Sequence, residues 1–300
     1  MPQNEQNEGL IQALSMPKGP QLDLLRLDRL HALAPGNKWF KLQPNLAKAR
    51  QMNAGVLVSF GGAFSNHLHA LAALGHSEGF KTAAWLRATE GTADTPTMRD
   101  LRDWGMTLRF LSRGDYRRRR DPAFVKSLLE GLDRPYLIPE GGANVSGARG
   151  CAGIVEHIPD CGADYDLIML ACGTGSTLAG VASAVADGVK VLGVPALKAE
   201  HFLEKDIAAM LAKLGGDRGN WSLDHRYYGK GFGQMSSALA FFMRSFEAEH
   251  GVELDPVYTG KLFQAAADMH QRGELDDYKR VLVVHSGGLQ GRRGYPELFS

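Results

Sequence analysis

Short, uninterrupted apolar runs recur along this chain, alternate with helix-like stretches, and in three places run straight into glycine. The runs cover residues 56–60, 82–86, 106–111, 166–171, 189–194 and 281–284. A strand with one wet face alternates apolar and polar residues, whereas continuous runs suit parallel strands with helices on both faces. Helical patterns lie between them, at residues 66–74, 177–186 and 236–249. The rhythm predicts an α/β chain with open, mostly parallel sheets. The three glycine-bearing strand ends are Gly61-Gly62, Gly173 and Gly287-Gly288. Ligands of open α/β sheets bind beyond the carboxyl ends of strands, where glycine admits a close approach and a following helix presents free N–H groups. One such turn is ordinary strand-to-helix geometry; three together point to a small-molecule site.

Composition removes several alternatives. Lys plus Arg total 34 against 33 Asp plus Glu, a net charge of +1, so no whole-chain attraction to nucleic acid or anionic lipid is expected. No apolar stretch approaches the roughly 18 residues of a membrane helix, and MPQNEQNEGL lacks the basic-then-apolar run of a signal peptide. Three cysteines, Cys151, Cys161 and Cys172, have no paired metal spacing. That favours a reducing compartment, and a cytoplasmic location is expected. His67 and His69 sit two apart on a predicted helix, on different faces, and are not read as metal ligands. The run Arg117 to Arg120 reads as a solvated face or an anion contact.

Three segments carry residues with chemical potential. Gly173-Thr174-Gly175-Ser176-Thr177 follows a buried run and opens a helix, but fits neither the Walker A nor the dinucleotide spacing. It reads as a cup for a single terminal phosphate, or simply as a capped helix start. Gly36-Asn37-Lys38-Trp39-Phe40-Lys41 places a lysine in a turn beside two aromatics. Lys38 is either a surface lysine or, in an apolar pocket that lowers its pKa, a nucleophile able to form a Schiff base with a carbonyl. In Gly61-Gly62-Ala63-Phe64-Ser65-Asn66-His67, Ser65 or Asn66 suits a helix N-cap, or the same helix start holds a carboxylate.

Taken together, these motifs resemble the pyridoxal-phosphate enzymes of the tryptophan-synthase-β-like fold, closest to the 1-aminocyclopropane-1-carboxylate (ACC) deaminase and D-cysteine desulfhydrase family. The resemblance rests on Gly36-Asn37-Lys38-x-x-Lys41-Leu42, Ser65-Asn66-His67, Ile138-Pro139-Glu140-Gly141-Gly142-Ala143-Asn144, Gly173 to Thr177, Pro256-Val257-Tyr258-Thr259-Gly260-Lys261 and His285-Ser286-Gly287-Gly288, in the family order. It implies two open, mostly parallel α/β domains with pyridoxal 5'-phosphate in the cleft between them. Residues 1–45 and 141–300 would form the large domain, with 46–140 inserted as the smaller one. A homodimer acting on a small amino acid is expected.

Carried across, Lys38 would hold the cofactor and act as the base at Cα. Asn66 would bond its phenolic oxygen. Gly173, Thr174, Gly175, Ser176 and Thr177 would bind its phosphate. Ser65 would contact the substrate carboxylate or assist proton transfer, and Tyr258 would face the substrate, joined by Tyr227 or Tyr228. Thr259, which the resemblance sets against the pyridine nitrogen, and Ser286 stand where ACC deaminases carry Glu and Leu and where desulfhydrases carry Thr. A hydroxyl partner leaves the ring nitrogen largely neutral, which suffices to expel a thiolate more readily than to open a cyclopropane. The resemblance therefore implies D-cysteine desulfhydrase-like β-elimination to pyruvate, ammonia and hydrogen sulfide, with ACC deamination to 2-oxobutyrate as the alternative. Trp39, Phe40 and Phe64 depart from the family pattern and are expected to reshape the pocket; they motivate a further reading, a cofactor-binding protein with little catalysis.

Overall fold

The computed structural model describes residues 9–14, 18–89, 91, 93–198, 202–229 and 234–299. Its strands are β1 (Ile11–Leu14), β2 (Gln21–Arg26), β3 (Val56–Gly61), β4 (Lys81–Arg87), β5 (Thr107–Leu111), β6 (Pro135–Leu137), β7 (Leu167–Cys172), β8 (Lys190–Pro195), β9 (Trp221–Leu223) and β10 (Arg280–His285). They form a six-stranded sheet, β1-β2-β10-β7-β8-β9, and a four-stranded sheet, β5-β4-β3-β6. Every pairing is parallel except that of the edge strand β1 with β2. The mixed α/β class expected from the sequence is the observed one.

The uninterrupted apolar runs have a direct cause. On β7, Ile168, Leu170 and Cys172 face one core, while Leu167, Met169 and Ala171 face another. On β10, Leu282 and Val284 divide from Val281 and Val283 in the same way. In the smaller sheet, Leu57 of β3 faces one cluster and Val56, Val58 and Phe60 the other. Each fully buried Leu, Val or Phe contributes about 1.5–3 kcal/mol through the water it leaves, so neither face of these strands tolerates a regular polar residue.

The helices are α1 (Asn37–Gln51), α2 (Asn66–Ser77), α3 (Pro96–Asp103), α4 (Arg113–Arg117), α5 (Pro122–Leu129), α6 (Val145–Ala152), α7 (Ser176–Ala184), α8 (Phe202–Ala212), α9 (Ser237–His250) and α10 (Thr259–Gln271). Lys38 therefore lies in the first turn of a helix, not in a turn as expected, because Gly36 supplies the left-handed bend that starts it. Pro44 inside α1 has no N–H to offer the Phe40 carbonyl. Against that carbonyl sits Gly150 of α6, where a Cβ would lie 1.9 Å from the oxygen. The close approach clamps α1 to α6, which packs in turn on α7 through Ala148 and Ala179, so the starts of α1 and α7 face each other. Among the described residues no helix is long and apolar enough to cross a membrane.

Candidate active site

The glycine-bearing ends of β7 and β10 meet at the start of α1, and the start of α2, after β3, packs on Gly288. After β10, the Ser286 carbonyl accepts the Asn37 N–H at 2.9 Å. Gly36 (φ 75°) makes this possible, since a Cβ there would sit 1.8 Å from the Ser286 oxygen. After β7, Gly175 (φ 78°) turns the chain into α7 and provides no side-chain cap, leaving the first-turn N–H groups of that helix to other acceptors. After β3, Ser65 caps α2, accepting the Leu68 N–H at 3.2 Å, as its local reading predicted.

Lys38 is tied to the α7 start by side chains. Its Nζ donates to Asn37 Oδ1 at 2.7 Å, and Asn37 Nδ2 donates to Thr177 Oγ1 at 2.9 Å. Thr174 and Ser176 place their hydroxyl oxygens 3.3 Å apart in the same turn. Burial, then the neighbouring Lys41 charge, brings the Lys38 amine from 10.5 down to about 7. A lysine with that pKa is substantially neutral, hence nucleophilic, near neutral pH. Tyr258 covers the turn from the α10 side: its ring lies 3.1 Å from where a Cβ on Gly173 would be. Burial, then the charges of Asp255 and Glu140, push its phenol upward, so it is a neutral hydroxyl.

Asn66 occupies a more crowded place than its sequence context suggested. Its Oδ1 accepts the Gln290 N–H at 2.9 Å, and Gly288 is bare where a Cβ would meet its amide carbon at 2.6 Å. Thr259 is completely buried at the start of α10, where Oγ1 accepts the Asp255 N–H at 2.7 Å and keeps its own proton to donate. Ser286 is buried beside Gly36. Of the two tyrosines named as partners of Tyr258, Tyr227 is engaged by its hydroxyl and Tyr228 by its backbone carbonyl. The Tyr227 hydroxyl accepts from Arg272 beyond the far end of α10, and the Tyr228 carbonyl accepts Lys261 Nζ at 2.8 Å. Nor do Trp39 and Phe40 line the space around Lys38: Trp39 stacks on His31 at 4.0 Å, and Phe40 is buried in the core under the large sheet. Phe64 packs near Gly294, 3.5 Å from where its Cβ would be.

The sequence reading gave no role to several buried polar groups at this site. Asp255 is fully buried and binds three backbone N–H groups, those of Val257 and Tyr258 on Oδ1 and of Gly291 on Oδ2. Burial raises its pKa, against those donors and the Asn66 side chain. The pair Asp255-Pro256 before a helix is a turn signal that marks it. Lys41, buried, donates to the Gly141 carbonyl at 3.2 Å and holds the Gly141-Gly142 turn against Thr174. Its place one helical turn after Lys38 was the available signal. His67 is buried; Ser59 Oγ donates to the Ile138 carbonyl, so His67 Nε2 donates to Ser59 at 2.9 Å. Nδ1 is then a bare acceptor without a partner among the described residues. Burial, then Lys38 and Lys41, hold this imidazole neutral. No group of three or more His, Cys, Asp or Glu side chains among the described residues is placed to hold a metal ion.

Comparison with known proteins finds relatives by sequence and by fold. The profile of the family "pyridoxal-phosphate dependent enzyme" matches residues 10–287. The ACC deaminase of Burkholderia vietnamiensis is 30% identical over 288 residues, covering 88% of this chain and 85% of its own. The mitochondrial bifunctional D-cysteine desulfhydrase/ACC deaminase of Arabidopsis thaliana is 27% identical over 300 residues, covering 92% and 74%. A solved ACC deaminase homologue superposes with a TM-score of 0.81 at 24% identity, covering 93% of this chain and 87% of that one, and shares the fold. The donor set suits a cofactor with one aldehyde and one phosphate: a near-neutral lysine amine lies two hydrogen bonds from an uncapped, hydroxyl-rimmed helix start.

Proposed function

As a member of the pyridoxal-phosphate-dependent enzymes, in the family of ACC deaminase and D-cysteine desulfhydrase, this chain binds pyridoxal 5'-phosphate, and we propose that it uses the cofactor to eliminate the β-substituent of a small amino acid. When bound, the cofactor withdraws electrons from Cα and so makes the Cα–H bond acidic. The observation that carries the proposal is the Lys38 amine, poised at about 7 and joined through Asn37 to Thr177. Lys38 would hold the cofactor and, with its amine free, would take the proton from Cα. Gly173, Thr174, Gly175, Ser176 and Thr177 receive the phosphate through backbone N–H groups and hydroxyls. Asn66, held by Gln290 and Asp255, fixes the cofactor ring. Ser65, whose oxygen already accepts from Leu68, donates its proton to the substrate carboxylate. Tyr258, neutral and lying over Gly173, faces the substrate. The division into a domain of residues 46–140 and one of 1–45 plus 141–300 belongs to the proposal. Its support is that β3 to β6 pair only among themselves.

Within this class the reading favours D-cysteine, converted with water to pyruvate, ammonia and hydrogen sulfide. Its support is Thr259, which offers the ring nitrogen a buried hydroxyl, while the nearby Asp255 carboxylate is taken up by backbone donors. ACC deamination to 2-oxobutyrate is the second reading, favoured by relatives that carry that name. Parallel assays of D-cysteine and ACC on the purified holoenzyme decide between them. Pyruvate with sulfide is the expected outcome; turnover of ACC alone refutes the Thr259 argument. A homodimer in the cytoplasm is part of the same reading, and size-exclusion chromatography with light scattering checks the first half.

A further inference from the structure

The chain that leaves β10 reaches across to the helices of the four-stranded sheet. Gly287 and Gly288 (φ 67° and 78°) bend it away from its own strand, and Gln290–Gly294 form a short helical turn. Two successive arginines of this turn then grip opposite sides. Arg292 stays with the larger sheet, pairing with Glu247 of α9 at 2.9 Å and with Glu253 at 3.3 Å. Arg293 crosses over and binds Asp100 of α3, while its Nη1 also donates to Gln290 Oε1 at 2.8 Å. The same Gln290 oxygen accepts the hydroxyl of Thr97, a completely buried residue of α3, at 3.0 Å. Asp100 is met in addition by His69 of α2, whose Nε2 lies 3.2 Å away. Thr97, Gln290, Arg293 and Asp100 therefore form a clasp between the two sheets.

Asn66 is the group this clasp holds. Its Oδ1 accepts the backbone N–H of Gln290 at 2.9 Å, and its side chain bonds the Asp255 carboxylate. An amide offers one oxygen acceptor and two N–H donors. The Gln290 N–H fixes which end is oxygen, and a carboxylate takes only donors, so Nδ2 faces Asp255 and the amide has no reason to turn over. One N–H of Asn66 is then left to give to a ligand. The arrangement is demanding, because Gln290 reaches Asn66 from 224 residues away and on the other sheet's side of the boundary. A side-chain acceptor that gathers two donors from Thr97 and Arg293 is what keeps its backbone in place.

We propose that Gln290, fixed by Thr97 and Arg293, is a positioning residue that sets the Asn66 amide from across the boundary between the two sheets. Its consequence for the cofactor rests on the reading of Asn66 as the ring contact. A hydrogen bond given to the cofactor's phenolic oxygen favours the anionic form of that oxygen. Loosening the clasp weakens this bond, so the lysine-bound cofactor gives up its proton, and changes its absorbance, at a higher pH.

Two uncharged substitutions test this without altering the electrostatics of the site. Gln290→Met removes the shared acceptor, and Thr97→Val keeps the shape of the buried side chain but removes one donor, so it remains informative if Gln290→Met folds poorly. Gln12→Met, which breaks bonds to the His250 carbonyl and to Arg26 at the edge strand β1, controls for general loosening. In cofactor-free protein, residue-resolved hydrogen exchange follows the Gln290 amide, the N–H that Asn66 accepts. It should exchange about tenfold faster in both clasp variants and at the unaltered rate in Gln12→Met. In holoenzyme, the pH midpoint of the cofactor absorbance should rise by at least about 0.5 in both clasp variants, further in Asn66→Ala, and stay in place in Gln12→Met. Gln290 exchange no faster in the clasp variants than in Gln12→Met overturns the proposal. So does a midpoint that moves in Asn66→Ala but in neither clasp variant, and the reading of Asn66 as the ring contact then stands. Faster exchange with a midpoint that moves in no variant, Asn66→Ala included, supports the clasp and removes that reading instead.

Discussion

The Lys38 amine gives the sharpest quantitative expectation. Burial and then the Lys41 charge bring it from 10.5 to about 7. At pH 7 about half of these amines are neutral, against about one in 3,000 for a lysine of ordinary pKa. In protein stripped of cofactor, acetylation with a trace of reagent, read by peptide mass spectrometry over pH 5–11, should titrate Lys38 with a midpoint near 7, while exposed lysines titrate near 10. Lys41→Gln removes the neighbouring charge but keeps a donor for the Gly141 carbonyl, and should move the midpoint up by about 1. Asp255→Asn removes an attractive charge and should move it down. The sign also fixes a stability trend. Between about pH 7 and 10.5 the unfolded chain carries a proton on Lys38 that the folded chain lacks, so this group's contribution to stability rises with pH across that window and is flat below it. A Lys38 midpoint near 10, or one indifferent to Lys41→Gln, refutes the account of its surroundings.

Three other substitutions probe the frame around it. Asp255→Ala leaves the N–H groups of Val257, Tyr258 and Gly291 without their acceptor and should cost at least about 1–3 kcal/mol, measured as a lowered urea midpoint. Gly175→Ala forces a side chain into a left-handed residue, with its Cβ 2.5 Å from Ile207; a loss of at least about 1–2 kcal/mol is expected, together with faster cofactor release by fluorescence. Asn37→Leu cuts the link between Lys38 and Thr177 and should cost about 1–3 kcal/mol, read from thermal unfolding; an unchanged melting temperature would mean the link carries no stability.

What was legible in the sequence follows from which interactions leave a one-dimensional trace. Strands covered on both faces must be apolar throughout, so β3, β4, β7, β8 and β10 stood out within a residue or so of their ends. β2 did not, because Asp23 interrupts its run. That carboxylate is buried at 1% exposure, yet is matched by the Tyr165 hydroxyl at 2.9 Å and Arg280 Nε at 2.9 Å, partners that are distant in sequence. The edge strands β6 and β9 have three residues each, too few to show a period. At the site, Lys38 beside a glycine turn and the Gly173 to Thr177 spacing are local patterns that single these residues out, but taken alone they leave a surface lysine and a capped helix start equally open. The hub at Asp255 and the bare His67 Nδ1 are products of burial: Asp255 adds the Gly291 N–H, from the turn after β10, to its two local donors, and the other ring nitrogen of His67 meets Ser59 of β3. Trp39 shows the converse: its bulk beside Lys38 suggested a crowded pocket, but a helix turns adjacent residues by about 100°, and its ring lies on His31 instead.

The attachment point of the cofactor tests the account most directly, since Lys41 and Lys261 are also buried amines on elements bordering the site. Borohydride treatment of the holoenzyme fixes the lysine–cofactor bond, and peptide mass spectrometry then locates the added pyridoxyl phosphate. The account predicts that mass on Lys38 alone and its absence after Lys38→Ala; the label on Lys41 or Lys261, or a holoenzyme that takes up no label, contradicts it.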